Sequence, residues 1–396
     1  MKIVQINSCY STGSTGKIAE GISNVLTENN IENYVFYGIG KSNAKNAFRI
    51  GNDLYLKLNI LKTRLFGKHG FYSVAATYDM LKKIDKIKPD IIHLHNIHGH
   101  YVNVRMLFNY IKKNNIKTVW TLHDCWSFTG HCVHFEYAGC TKWKTGCHNC
   151  SRLKSYPKSL FFDRSKGSYA DKKKLFGEAR DLTIVTPSAW LGNLVKQSFL
   201  SNHSIKVINN GIDLNSFKPT PSDLREKYNI KNKFVIMGIA SDLESTKGGK
   251  YLVDLAKKLD DSFSIIIVGL KTHCTLPSNV ITLPRTNSKT ELAKIYSAAD
   301  VFINPTLEDT YPTVNLEAQA CGTPVITFKT GGSPESVDEN SGFTVEQKDV
   351  DGLYEKVLEI KNNKDINYHE MCVKKAKLNY NENQKFKEYL RIYCQE

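Results

Sequence analysis

The sequence predicts an α/β protein made of two doubly wound, Rossmann-like domains in tandem. Short β-branched runs recur along the whole chain, amphipathic stretches separate them, and turn residues interrupt the pattern near the middle. The chain has 396 residues, of which 41% are hydrophobic and 11% aromatic. At roughly 150 residues per domain this length suits two or three domains, and the apolar content excludes wholesale disorder.

Twelve short apolar runs are typical of strands buried in a parallel sheet. The first half of the chain holds six of them: 2–7, 34–37, 90–95, 117–122, 182–186 and 205–208. The second half holds the other six: 233–240, 263–269, 280–283, 300–304, 324–328 and 342–345. Amphipathic stretches such as 18–26 and 251–259 lie between them. We therefore expect βαβ units and one parallel sheet in each half.

The domain boundary is expected where turn and linker residues gather, from Asn209-Asn210-Gly211 to the prolines at 219 and 221. This gives a first domain over 1–210, a linker over 211–232 and a second domain over 233–375. A C-terminal helix over 376–396, with Phe386, Leu390 and Tyr393 on one face, is expected to pack on the first domain. Ligands of open α/β sheets bind beyond the carboxyl ends of the strands, so a central cleft between two such domains is the expected site.

Charge is unevenly distributed. Residues 1–200 carry 29 Lys and Arg against 13 Asp and Glu, a net charge of +16, whereas residues 201–396 carry 25 against 26. The basic half favours an anionic partner such as a membrane surface, a phosphate-bearing substrate or nucleic acid, although a merely basic surface is an open alternative. No apolar run is long enough to span a membrane and the first residues do not resemble a signal peptide, so we expect a cytoplasmic protein.

Five of the ten cysteines fall within an insertion at 125–150. Cys132, Cys140, Cys147 and Cys150 end in a Cys-x2-Cys pair with the usual spacing of zinc ligands, so we expect a structural zinc site. Four reduced structural thiols are the alternative. A zinc ribbon that binds nucleic acid would need a second Cys-x2-Cys pair.

Three segments of the first domain carry candidate site residues. The loop from Ser11 to Lys17 holds Gly13 and Gly16 before a helix, which suits phosphate binding, but it departs from the P-loop pattern and a plain turn is the alternative. His93, His95, His98 and His100 follow one strand, but the aspartate of a binuclear metallohydrolase motif is missing. His123-Asp124 ends the next strand.

The strongest pattern is an acidic loop and helix in the second domain. Residues 304–318 are expected to run from a strand through Glu308 and Asp309 into a helix that carries Glu317, and a Gly-Gly-Ser-Pro-Glu loop follows at 331–335. Asp309 and Glu317 can face one ligand, beside the N–H groups at the helix start. This combination suits a ligand with hydroxyls at one end and phosphates at the other, such as a sugar nucleotide.

Asp309-x7-Glu317, with the Gly-Thr-Pro and Gly-Gly-x-x-Glu segments after it, resembles the E-x7-E signature of retaining GT-B glycosyltransferases. Over nearly the whole chain the sequence is similar to glycosyltransferase family 4, which includes bacterial capsule, exopolysaccharide and O-antigen enzymes. The early glycine loop, His123-Asp124, the stretch 207–213 and Lys247-Gly248 also match. The stretch 120–132 with its later cysteines resembles a subgroup of these polysaccharide enzymes.

The resemblance implies roles for individual residues. Glu317 would bind the ribose hydroxyls, Asp309 the donor sugar, Lys247 the diphosphate, and His123 the donor sugar near the reaction centre. Gly13 and Gly16 would close over the phosphates. The remaining donor-binding candidates are Ser241, Arg285, Glu308, Thr310, Tyr311 and Thr313.

Two residues depart from the family pattern. Asp309 stands where the family often has Glu, and Glu308 could substitute for it. The family's Arg before the lysine is missing, since Ser241 and Asp242 occupy that region, and Arg285 is the expected replacement.

The expected function is retaining transfer of a sugar from a nucleotide-diphosphate donor, UDP-linked in our expectation, to a glycan or lipid-linked acceptor at the inner face of an anionic membrane. No catalytic metal and no nucleic acid are expected. The alternatives are a sugar-nucleotide epimerase of the same fold, a metal-dependent hydrolase that uses the histidines at 93–100, and a zinc-dependent nucleic-acid-binding protein.

Overall fold

The structure is a computed structural model that describes residues 1–363 and 365–394. The chain divides into two compact units, one formed by Met1–Asn209 together with Asn383–Glu396 and the other by Asn210–Glu382. Each unit is built around one parallel sheet. The predicted α/β class with two Rossmann-like sheets is therefore confirmed.

Strands and helices alternate along most of the chain. The strands are β1 Lys2–Cys9, β2 Glu32–Ile39, β3 Ala47–Arg49, β4 Ile91–Leu94, β5 Lys117–Thr121, β6 Leu182–Thr186, β7 Ser204–Val207, β8 Phe234–Ile239, β9 Phe263–Val268, β10 Val280–Leu283, β11 Val301–Asn304, β12 Val325–Phe328 and β13 Gly342–Val345. The helices are α1 Gly13–Glu28, α2 Asp53–Phe66, α3 Val74–Ile87, α4 Val104–Asn114, α5 Ser165–Gly177, α6 Ala189–Lys196, α7 Leu224–Lys227, α8 Gly249–Ala256, α9 Lys289–Ser297, α10 Thr313–Ala320, α11 Val350–Asn362, α12 Tyr368–Asn379 and α13 Glu382–Cys394. Short 3-10 turns occur at Trp126–Phe128, Lys142–Lys144 and Ser333–Ser336.

In both sheets the chain first adds strands toward one edge and then, starting again from the middle, toward the other edge. The first has the order β3-β2-β1-β4-β5-β6-β7 and the second β10-β9-β8-β11-β12-β13. The order reverses between β1 and β4 in one unit and between β8 and β11 in the other. In open α/β sheets, ligands bind outside the carboxyl ends of the strands at such a reversal point.

The strands are apolar because both sheet faces are covered by helices. Every residue of β4, β9, β11 and β12 is buried. Such strands lack the alternation of half-exposed strands and give the continuous runs seen in the sequence. All twelve predicted strands are present, with ends that differ by no more than two residues at either side.

Three sequence expectations need correction. The edge strand β3 was not predicted, since its three residues are half-buried and form no apolar run. The stretch 211–232 is not a free linker, because Phe217, Leu224 and Ile230 are buried in the core of the second unit.

The third correction concerns the C-terminal helix. It begins at Glu382 rather than at 376, because Ala376 and Tyr380 are buried in the second unit and the chain turns after them. Residues 395 and 396 of the predicted helix lie outside the described residues. From Asn383 onward the chain belongs to the first unit.

Helix α13 completes the core of the first unit. Its buried face consists of Phe386, Tyr389, Ile392 and Tyr393, which cluster with Ile18 and Ile22 of α1. A Cβ atom on Gly21 of α1 would lie 2.0 Å from the Phe386 ring. The two helices therefore pack closely only because position 21 has no side chain.

Candidate functional site

The acidic loop after β11 is fixed by hydrogen bonds to neighbouring loops of the second unit. Leu307 N–H donates to the Thr246 carbonyl at 2.7 Å, and Thr330 Oγ1 donates to the Thr306 carbonyl at 2.7 Å. The loop leads into α10, and Asn315 of that helix accepts from Asn304 of β11 at 2.8 Å. This network orders the loop that carries Glu308 and Asp309.

Lys247 and Asp309 are brought together although 62 residues separate them. Lys247 Nζ donates to Asp309 Oδ2 at 2.8 Å, and the side chains are 52% and 18% exposed. Asp309 Oδ1 also accepts from Tyr311 N–H at 3.3 Å. The ammonium is therefore oriented by the loop yet open to solvent, as a group that receives an anion should be.

Gly248 explains how Lys247 reaches the loop. Its φ is +79°, and a Cβ there would lie 2.0 Å from the Pro305 carbonyl oxygen. Only glycine combines this left-handed backbone with so close an approach. The Lys247-Gly248 pair is thus held against the start of the acidic loop.

Glu317 lies in the second turn of α10, and Tyr296 of α9 donates to it. The distance from Tyr296 Oη to Glu317 Oε2 is 3.2 Å. Burial raises the pKa of Tyr296, and the negative charge of Glu317 raises it further, so the phenol stays a donor at physiological pH. Tyr296 is a positioning residue that sequence reasoning missed, because nothing in its sequence surroundings marks it.

The other residues predicted around the loop differ in exposure. Glu308, Thr310 and Tyr311 are buried, and burial raises the pKa of Tyr311. Thr313 is half-buried and begins α10. Asp309, rather than the buried Glu308, is thus the carboxylate beside Lys247.

Ser241 and Arg285 follow β8 and β10 at the same edge of the second sheet. Both side chains are exposed. Ser241 donates to Asp242 at 2.9 Å. The Cβ of Arg285 would lie 3.7 Å from a Cβ built on Gly269, directly after β9. Their contact with a diphosphate stays a prediction.

The glycine loop of the first unit joins β1 to α1. Ser11 and Gly13 have φ of 62° and 66°, and Ser11 N–H donates to the Gly16 carbonyl at 3.1 Å. Thr12 at the N-cap makes no side-chain hydrogen bond to the helix. A Cβ on Gly16 would lie 3.1 Å from Cys9 Sγ, so a small residue fits there best.

His123 is held by another histidine. Its Nε2 lies 3.2 Å from Nδ1 of His95, whose Nε2 lies 3.0 Å from Gln5 Oε1. Burial lowers the pKa of His123 to about 4, so the ring is neutral at physiological pH. His95 precedes it at the end of the neighbouring strand β4, which is the signal that could have identified the pair.

Asp124 contacts His98 and the backbone of Trp126. Its Oδ2 lies 2.6 Å from His98 Nε2, and its Oδ1 accepts from Trp126 N–H at 2.8 Å. The nearby His98 helps to hold the pKa of Asp124 at about 2 against the opposing effect of burial. Asp124 therefore orients His98.

The histidines at 93–100 have separate partners. His93 lies 2.6 Å from Tyr393 Oη and 2.8 Å from Thr121 Oγ1, and His100 lies 3.0 Å from Thr63 Oγ1. Within residues 1–363 and 365–394 no three His, Cys, Asp or Glu side chains are arranged as a metal site. Nothing here supports the metal-dependent hydrolase.

The four predicted zinc ligands line one small cavity. Gly130 N–H donates to Cys147 Sγ at 3.2 Å. Next to them the buried Lys172 Nζ donates to the carbonyls of Trp126 and Thr129 at 2.7 and 3.0 Å. The zinc site stays a prediction.

None of the described helices combines the length and hydrophobicity needed to cross a lipid bilayer.

Two family models match the chain and together cover most of it. "Glycosyltransferase Family 4" matches residues 21–216 and "Glycosyl transferases group 1" matches residues 222–379. A relative in Escherichia coli (strain K12), WcaC, is named for glycosyl transfer in colanic acid biosynthesis. It is 26% identical over 366 residues, which are 88% of each chain.

Two further matches carry ligand or substrate names. UDP-Gal:alpha-D-GlcNAc-diphosphoundecaprenol alpha-1,3-galactosyltransferase of Escherichia coli is 28% identical over 193 residues, 44% of this chain and 49% of that protein. Anabaena Alr3699/HepE, solved in complex with UDP, has a TM-score of 0.68 at 15% identity and covers 99% of both chains. At this identity the structural likeness establishes the fold.

Proposed function

We propose that this chain, which belongs to glycosyltransferase family 4 and has the GT-B fold, transfers a sugar from a nucleotide-diphosphate donor with retention of anomeric configuration. Glycosyl transfer is its activity class, in the synthesis of polysaccharides or glycolipids. The observation that carries the donor proposal is the Lys247–Asp309 pair at the point where the second sheet reverses its strand order. Asp309 lies on the loop that leads into α10, the helix that carries Glu317.

The donor is proposed to lie along this edge of the second unit. Glu317 would accept hydrogen bonds from the ribose hydroxyls and Asp309 from hydroxyls of the sugar. Lys247 would exchange its bond to Asp309 for one to the diphosphate. UDP is the proposed nucleotide, since HepE was solved with UDP and the galactosyltransferase of Escherichia coli is named for a UDP-linked donor.

The proposed reaction breaks the bond between the anomeric carbon and the diphosphate oxygen. The acceptor hydroxyl oxygen attacks from the same face, and its proton goes to the departing diphosphate. Positive charge develops on the sugar and negative charge on the leaving group. The exposed ammonium of Lys247 would stabilise the leaving group, a contribution that grows as the bond breaks.

The proposed acceptor is a glycan or a lipid-linked glycan. WcaC is named for colanic acid biosynthesis, and the galactosyltransferase is named for a diphosphoundecaprenol-linked substrate. A lipid-linked acceptor would place the enzyme at the cytoplasmic face of an anionic membrane. The first unit, which carries the excess of basic residues, would meet that surface.

Isothermal calorimetry with UDP and with GDP, without added metal, tests the donor proposal. We expect micromolar binding of UDP and much weaker binding of GDP. Tight binding of GDP would show that the donor nucleotide is GDP and not UDP. If the folded protein bound neither nucleotide, the proposed donor site would be overturned. Retention is tested by the anomeric proton coupling of the product in NMR, where an inverted anomer would contradict the mechanism.

We also propose that Cys132, Cys140, Cys147 and Cys150 bind one structural zinc ion after their side chains reorient. Four thiols suit this metal, and the N–H of Gly130 already donates to one of them. Zinc with four thiolates carries two negative charges, one of which a protonated Lys172 would offset. When bound, the metal would cross-link a loop that has few strands or helices of its own.

Metal analysis of the purified protein tests this site. We expect about one zinc per chain, lost in a Cys147→Ser, Cys150→Ser double variant and kept in Cys274→Ser, whose cysteine is exposed elsewhere. Less than about half an equivalent in the unaltered protein would contradict the proposal.

A further inference from the structure

Helix α2 buries two polar side chains and exposes three leucines. Asn59 and Thr63 are 2% and 1% exposed, whereas Leu54, Leu58 and Leu61 are 69%, 48% and 52% exposed. Residues 54, 58 and 61 are spaced i, i+4 and i+7 and so lie along one face. Thr63 is held on the inner side by its hydrogen bond with His100, so the leucines stay outward.

The segment 158–164 extends this apolar face. Leu160, Phe161 and Phe162 are 60%, 71% and 46% exposed. Leu160 N–H donates to the Arg64 carbonyl at 2.7 Å, and the rings of Phe162 and Phe66 stack with centroids 6.4 Å apart. The two segments therefore form one continuous surface, which we call the apolar ridge.

The apolar ridge is bordered by positive charge. Segments 53–68 and 154–166 together carry eight basic residues and two acidic ones. The two carboxylates are engaged, since Asp53 pairs with Arg49 and Asp163 accepts from the N–H groups of Cys150 and Ser165. The basic side chains are all exposed. They are Lys57, Lys62, Arg64, Lys68, Lys154, Lys158, Arg164 and Lys166.

We propose that the apolar ridge inserts into the headgroup region of an anionic phospholipid bilayer. Outward leucine and phenylalanine side chains would enter the boundary of the acyl chains, while the lysines and arginines would contact lipid phosphates. The combination of exposed aromatic tips with a net charge of +6 favours lipid over a protein partner, since protein interfaces are depleted in lysine. This inference deepens the proposed function, because a lipid-linked acceptor is reached from such a surface.

Sedimentation with vesicles tests the proposal on the full chain without any donor. We expect strong binding to vesicles of equal parts phosphatidylglycerol and phosphatidylcholine, weakened by salt, and little binding to phosphatidylcholine alone. Leu58→Ser with Phe161→Ser should lower the partition coefficient at least tenfold. Leu378→Ser, whose side chain is 67% exposed on α12 of the other unit, is the matched control and should leave it unchanged.

The contribution of the basic residues beside the apolar ridge is tested with the same sedimentation assay. Lys57→Glu with Lys62→Glu should lower binding at least tenfold, and Lys374→Glu with Lys377→Glu, on α12, should change it little. Circular dichroism checks that each variant is folded.

Three results would overturn the proposal: no binding to anionic vesicles, equal losses in ridge and control variants, or a dimer in solution that Phe161→Ser dissociates while vesicle binding is absent. Calorimetry with UDP on the same samples separates this failure from failure of the donor site, since the ridge variants should bind UDP normally.

Discussion

Glu317 offers the clearest test at the level of a single residue. In Glu317→Gln the amide oxygen still accepts from Tyr296, so the fold should persist, but the charged hydrogen bond to the ribose is lost. We expect UDP binding to weaken by about 1–3 kcal/mol. Isothermal calorimetry measures this affinity for UDP. The control is Glu339→Gln, which changes an exposed carboxylate in the same unit and should bind UDP normally. Unchanged affinity in Glu317→Gln would remove Glu317 from the site.

Lys247, Asp309 and Glu317 were predicted singly as candidate site residues, whereas Tyr296 and the hydrogen bonds between these side chains were not predicted. The spacing of Asp309 and Glu317 follows from local helix geometry. The bonds of Lys247 to Asp309 and of Tyr296 to Glu317 join residues from different elements, and such long-range contacts depend on how the sheet is ordered. The same holds for His95 and His123, which meet because β4 and β5 are neighbours.

At the level of elements, the turn before α8 is expected to be intolerant of any side chain. Gly248→Ala adds a Cβ that meets the Pro305 carbonyl in a left-handed backbone, so we expect a loss of about 2 kcal/mol or more in the free energy of unfolding, with weaker UDP binding. Urea denaturation measures the stability.

Gly139→Ala is the matched control for this change. Its φ is also positive, at 57°, but no atom lies within 4 Å of the added Cβ. It should cost only about 1 kcal/mol and leave UDP binding intact. Equal effects in both variants would show that backbone strain alone, not the contact with the acidic loop, matters at position 248.

Strands were predicted correctly where all of their residues are buried, and a strand was missed where its residues are only half-buried. Fully buried strands such as β9 and β11 give unbroken apolar runs. Strand β3 is half-buried and lies at an edge, so its residues carry no such pattern. The turn residues of 209–221 correctly marked the change from the first unit to the second. Turn residues do not show whether the chain after them is packed, and here Phe217 and Leu224 are buried in the core of the second unit.

At the level of the whole molecule, acid should destabilise the first unit selectively. Burial lowers the pKa of His93 to about 3 and those of His100, His123 and His131 to about 4. The unfolded chain titrates near 6.5 and takes up more protons as the pH falls below that value. Stability is therefore full above about pH 6.5 and is lost toward pH 4, by up to about 2 kcal/mol per histidine at pH 5.

Tryptophan fluorescence can follow this loss in one unit alone. All four tryptophans, at 120, 126, 143 and 190, lie within Met1–Asn209. Urea midpoints measured by fluorescence should fall from pH 7 to pH 5. An unchanged fluorescence midpoint would contradict the assignment of neutral, buried imidazoles.

The return of α13 to the first unit has a consequence for biosynthesis. Tyr393 is hydrogen-bonded to His93, 300 residues earlier in the chain, and Tyr389 to Thr121, 268 residues earlier. The first unit therefore emerges from the ribosome with the α13-binding face of α1 uncovered, and that face stays uncovered while the second unit is translated. The order of synthesis and the order of burial therefore differ in this chain, because the core of the first unit is complete only after α13 has been made.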